Sequence, residues 1–208
     1  MKAARGLGLI AGVAFVAVGV WQVMMYAGAP ESGRAIDEWF TFIHRHEMLG
    51  KAWGARIAVI MLAIAPIGWC CERAQGGWGV AARSFLYVWM PAILLTSVFQ
   101  TVSVERLRML SDASGLAPET ARTAFVMWHA LVEPAAASTA VVGAFGFCLL
   151  LASVGGRMPI VAGAVLIAML SVTIVKLSPM TEAVMIAAFG ALLAFTVMAT
   201  PRDPEPRL

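Results

Sequence analysis

The stretch Trp128-His129-Ala130-Leu131-Val132-Glu133-Pro134 sets an imidazole and a carboxylate four residues apart. On a helix those two side chains share one face. An imidazole there can move a proton or ligate a metal, and Glu133 supplies a counter-charge. Pro134, lacking an N–H, frees a backbone carbonyl near the same face. Both residues lie in a long apolar segment, where ionisable groups are costly and point to function by default. Other polar residues interrupt apolar runs: Gln22 near the end of the first, Arg56 near the start of the second, and Ser97, Gln100 and Thr101 near the end of the third. His44, His46 and Glu47 stand in a short polar stretch between the first two runs. Because successive spans alternate in direction, all these groups fall toward one membrane face.

Two accounts follow. In the first, His129, Glu133, Arg56 and Gln100 line a polar pocket at that face, with Gln22 beside it and the segment carrying His44, His46 and Glu47 as a lid. Such a pocket would hold a metal, a haem, a quinone head group or a lipid head group. In the second, Arg56 and Glu133 form a structural ion pair capped by His129, which needs no ligand to explain it. The metal candidates are His129, His44 and His46. Haem is disfavoured, because only one of these histidines sits in a span. For Cu(I), Met24, Met25, Met48, Met109, Met127 and Met180 fall toward the same face. They form no tight cluster, and Met is an ordinary filler of apolar packing. No cofactor is favoured. No nucleophile elbow, HExxH or phosphate loop is present, so no catalytic residue is assigned and the enzyme reading is not favoured.

The elements that position these groups follow from composition. Of 208 residues, 61% are apolar and 13% are charged. A soluble domain of this size would expose too much apolar surface; a bilayer solvates it. The formal charge of +3 is spread through the loops and leaves no nucleic-acid footprint. The Ala-, Gly-, Val- and Arg-rich composition suits a bacterial genome. Cys70, Cys71 and Cys148 show no zinc spacing and no disulfide framework.

A span needs roughly 20 apolar residues. Runs of that kind occupy about 6–27, 52–71, 84–104, 122–153, 159–175 and 179–200. The sequence therefore predicts an all-α polytopic membrane protein, a single transmembrane domain over 1–208 with six transmembrane helices. An interfacial amphipathic helix is predicted over about 35–48, with Ile36, Trp39, Phe40 and Ile43 on its apolar side. Residues 72–83 read as a Gly-rich turn and 105–121 as a polar loop.

Six spans put both termini on one side. With the N-terminus inside, seven Lys and Arg lie inside and eight outside, so that count does not orient the chain. Short inner turns and acid-bearing outer loops favour cytoplasmic termini. Gly8 and Gly12 form a GxxxG step, and Ala135, Thr139 and Gly143 a small-residue stripe. These serve packing within the bundle or, as the alternative, a homo-oligomer or membrane complex.

The layout resembles a family of uncharacterised six-helix bacterial integral membrane proteins. The likeness lies in the helix bearing Trp128-His129, the turn Val154-Gly155-Gly156-Arg157-Met158-Pro159, and the fifth span with Val161-Ala162-Gly163-Ala164. The resemblance implies the fold and a place in the bacterial inner membrane, and implies no activity. The functional expectation is a non-catalytic accessory subunit or a small-ligand or lipid-binding membrane protein. The alternatives are a redox or metal-handling protein using His129 with His44 or His46, and a small transporter.

Overall fold

The computed structural model describes residues 2–29, 38, 41–42, 48–112, 118–175 and 179–200. Every regular element among them is helical: α1 (Lys2–Tyr26), α2 (Met48–Arg73), α3 (Gly76–Asp112), α4 (Pro118–Ala152), α5 (Met158–Val175) and α6 (Pro179–Ala199). All but α5 contain stretches long and apolar enough to cross a membrane; in α5 the apolar helix is shorter, over Met158–Val172. The chain is a multi-pass helical membrane bundle.

Two regions depart from the sequence expectation. The turn expected over 72–83 shrinks to Ala74-Gln75, because α2 runs to Arg73 and α3 starts at Gly76. Gly76 has φ +68°, a left-handed conformation that favours glycine. Gly79 then comes so close to the backbone of Ala74 that a Cβ would lie 2.5 Å from its carbonyl carbon. The loop expected over 105–121 is largely helix: α3 continues to Asp112 and α4 begins at Pro118. At 37 residues, α3 is far longer than the hydrocarbon is thick. A rise of about 1.5 Å per residue makes it about 55 Å, against a core of about 30 Å. Its apolar part ends at Ser103, so the last turns project beyond it. In the expected interfacial segment, Ile36, Trp39, Phe40 and Ile43 lie outside the described residues. Phe42 is helical and buried against Tyr26, Leu49, Trp53 and Ala183.

Small residues decide which helices touch. Antiparallel α1 and α6 come together through Gly8, Gly12 and Gly19 on one side and Ala187, Gly190, Ala194 and Val197 on the other. A Cβ on Gly190 would sit 2.5 Å from the Gly12 carbonyl oxygen, and one on Gly19 2.5 Å from the Ala187 nitrogen. The Gly8/Gly12 step is therefore used inside the chain. Deeper in, Trp89 of α3 meets Phe147 of α4 and Phe189 of α6 edge-on, with centroids 5.1 and 5.2 Å apart. Phe147 and Phe189 stack at 5.3 Å. Gly143 makes room for the Trp89 indole. Of its stripe partners, Thr139 is buried and Ala135 is exposed. In lipid, association rests on such close packing, since the solvent is as apolar as the side chains.

Candidate functional site at the Arg56 end of the bundle

Arg56 lies two turns into α2, on an apolar helix that gives its guanidinium no water. Only 1% of the residue is exposed. A buried charge of this kind is tolerable when it is paired and its donors are used. Nη1 donates to Oε1 of Glu182 at 2.5 Å. Nη2 donates to Oε1 of Gln100. The circuit closes as Gln100 Nε2 donates to Oε2 of Glu182 at 3.3 Å. Three side chains from α2, α3 and α6 thus form a ring in which each is bonded to the other two. The remaining guanidinium nitrogen, Nε, is buried and its N–H meets no acceptor.

The helices place these groups by direction alone. α2 and α6 begin at this end and α3 runs toward it, so Arg56, Gln100 and Glu182 arrive at the same depth. A second polar layer covers the ring. Gln22 Nε2 of α1 donates to the Ala52 carbonyl at 3.3 Å, one turn before Arg56. Trp53 Nε1 donates to the Tyr26 hydroxyl oxygen at 2.9 Å, and both residues are buried. Trp128 stands against Trp53 with centroids 6.4 Å apart, and the His129 ring lies 6.4 Å from that of Trp128. His129 is half-buried at this aromatic edge.

Of the residues singled out in the sequence, Arg56 and Gln100 are brought into direct contact, and Gln22 lies beside them. The carboxylate that meets Arg56 is Glu182, which falls inside the sixth expected span and was not singled out in the sequence. The Glu133 side chain, and all of His44, His46 and Glu47, lie outside the described residues. Tyr26 and Trp53 also escaped the sequence reading. Glu182 sits in the first turn of α6 behind Pro179, where an acid is already explained by the helix dipole. The signal for its second role was a carboxylate one turn inside an apolar run, on the membrane face shared with Arg56. Among the described residues, no group of three or more His, Cys, Asp or Glu is gathered to hold a metal.

From Glu182 a narrow slit descends between α3, α4 and α6, past Thr96, Thr139 and Met185 to Phe189. Its volume is ≈ 10 Å³, about the minimum that one water requires. The two threonine hydroxyls donate to carbonyls of their own helices, Ala92 and Ala135, both at 2.7 Å. Each keeps lone pairs for a water. Compared with known proteins, the chain matches no family model, no curated protein and no solved structure.

Proposed function

We propose that the chain is a non-catalytic, multi-pass protein of the bacterial inner membrane with both termini cytoplasmic. In this reading it is an accessory subunit or a binder of a small polar ligand or lipid head group, engaged at the Arg56 end. The observation that carries it is the Arg56 Nε donor, buried without an acceptor beside a ring that is otherwise satisfied. An orphaned charged donor costs free energy, and a ligand oxygen or an ordered water would relieve it. His129, half-buried beside Trp128, would stand at the edge of this site.

The test is native mass spectrometry of protein purified gently in mild detergent, with an optical spectrum of the same sample. The reading predicts a colourless protein carrying a discrete small molecule, lipid or partner chain, displaced in Arg56→Lys, which keeps the charge and lacks Nε–H. A bare chain would contradict it. A Soret band or near-stoichiometric metal, lost in His129→Ala, would replace it with the redox or metal role of His129, His44 and His46. The slit below Glu182 favours a second reading, a small transporter. Flux into proteoliposomes that is abolished by Glu182→Gln would establish that reading, and absence of flux would remove it.

A further inference from the structure

α3 is the least enclosed of the long spans: 28% of its most apolar stretch is buried, against 39–61% in the other four. Its free face runs as a regular seam. Ser84, Val88, Pro91, Leu95, Val98 and Val102 are all exposed and recur at alternating steps of four and three. That is the 3.5-residue period of two helices wound around each other. From Ser84 to Val102 the seam is about 27 Å long, close to a hydrocarbon core of about 30 Å. Lipid would satisfy such a face if it were wholly apolar, so the polar groups on it decide what covers it.

Tyr87, beside Val88 on the edge of the seam, is 49% exposed. Its neighbour fixes its depth. Trp89, two residues on, meets Phe189 with centroids 5.2 Å apart. Phe189 is the midpoint of α6 (Pro179–Ala199), and Trp89 lies at the middle of the apolar stretch Gly76–Ser103. Tyr87 therefore stands near the middle of the bilayer, about 15 Å from either head-group layer and beyond a phenol's reach of it. Its hydroxyl makes no hydrogen bond among the described residues. Hydrocarbon offers no acceptor, so an unpaired hydroxyl there is costly. Acceptors stand on the same patch. Ser84, one turn before, has spent its hydrogen on the Val80 carbonyl at 3.2 Å and keeps its lone pairs. Pro91 has no N–H, so it leaves the Tyr87 carbonyl without the donor that the next turn would supply.

We propose that this face of α3 docks a second copy of the chain in a parallel two-fold dimer. Copies inserted the same way are related by an axis along the membrane normal, so equal depths meet. The patch then faces itself. Each Tyr87 hydroxyl donates to the other copy's Ser84 oxygen or Tyr87 carbonyl, and Val88, Pro91 and Leu95 pack along the seam. A foreign helix would need a matching acceptor at that depth; a second copy carries one by symmetry. The small residues that could have served instead are spent within the chain: Gly8 and Gly12 hold α6, and Gly143 makes room for Trp89. The proposal is independent of the reading of the Arg56 end.

The experiment is energy transfer between full-length chains labelled at the N-terminus, in phosphatidylcholine vesicles over a range of lipid-to-protein ratios. A dimer that dissociates on dilution is expected. Tyr87→Phe keeps the ring and removes the hydroxyl, and is expected to weaken association about tenfold, since two interhelical hydrogen bonds are lost. Ile160→Ala, on the exposed side of α5, is expected to change nothing. A second measurement locates the face. In a cysteine-free background, mild oxidation in the same vesicles is expected to link Val88→Cys into a disulfide dimer and to leave Ile160→Cys as monomer. Monomers at every dilution, association unchanged in Tyr87→Phe, or linkage through Ile160→Cys in place of Val88→Cys would each overturn the proposal. So would linkage, in native membranes, of Val88→Cys to a different protein and not to its own copy.

Discussion

A guanidinium among apolar helices is stable only through its partners, so the residues around Arg56 carry unequal weight. Gln100 accepts from Arg56 and donates to Glu182, bridging the pair. Gln100→Leu keeps the volume and removes both bonds. The expected cost is about 1.5–3 kcal/mol, the range for hydrogen bonds to charged groups, read by reversible unfolding in mixed micelles. A change no larger than that of Thr101→Val, just outside the ring, would show the bridge to be inert. Arg56 and Gln100 were legible in the sequence because each interrupts an apolar run. Glu182 was not, because the first turn of a helix is an ordinary home for an acid. Pairing of Arg56 with one acid in preference to another depends on how α2 and α6 are rotated, and no single sequence states that rotation.

The helices themselves are the most legible level, since each apolar run needs an internally bonded backbone to enter lipid. Their ends were less so. Gly76-Gly77-Trp78-Gly79 reads as a turn by composition, yet α3 starts there, and the polar residues after Ser103 continue its helix beyond the apolar core. A hydropathy signal stops where lipid stops, and a helix does not. The pairing of elements lies in the glycines. Gly190 has the Gly12 carbonyl and Phe15 against it, whereas Gly163 on α5 has nothing within 4 Å. Gly190→Ala is therefore expected to cost about 1–3 kcal/mol through overpacking, and Gly163→Ala to be neutral or slightly stabilising. Unfolding of the two variants side by side checks this. Equal effects would mean that α1 and α6 are not held as closely as described.

At the scale of the whole molecule, the bundle has two different ends. One carries the ring of Arg56, Gln100 and Glu182 beneath Tyr26 and Trp53. The other carries Arg73, Arg157 and the short turns, with Arg5 capping α6. In a cysteine-free background, Arg157→Cys and Glu119→Cys, both exposed, report on opposite ends. With cytoplasmic termini, an impermeant thiol reagent added to intact cells labels Glu119→Cys and spares Arg157→Cys, and the reverse pattern would invert the topology. Between the ends, the core is aromatic and aliphatic, with Trp89, Phe147 and Phe189 at its centre. The charged ring, with the α1–α2 bonds of Gln22 and Tyr26 beside it, therefore stands as a polar lock at one end of a bundle whose centre is held by packing. The most direct test of that account is a double-mutant cycle on Arg56 and Glu182, using Arg56→Met, Glu182→Met and the pair. Glu182→Met strands the buried Arg56 and is expected to cost about 3–5 kcal/mol, Arg56→Met leaves the half-buried Glu182 unpaired and costs less, and the double change costs far less than their sum. Additive losses would mean that the two charges do not hold each other, and the lock would be contradicted.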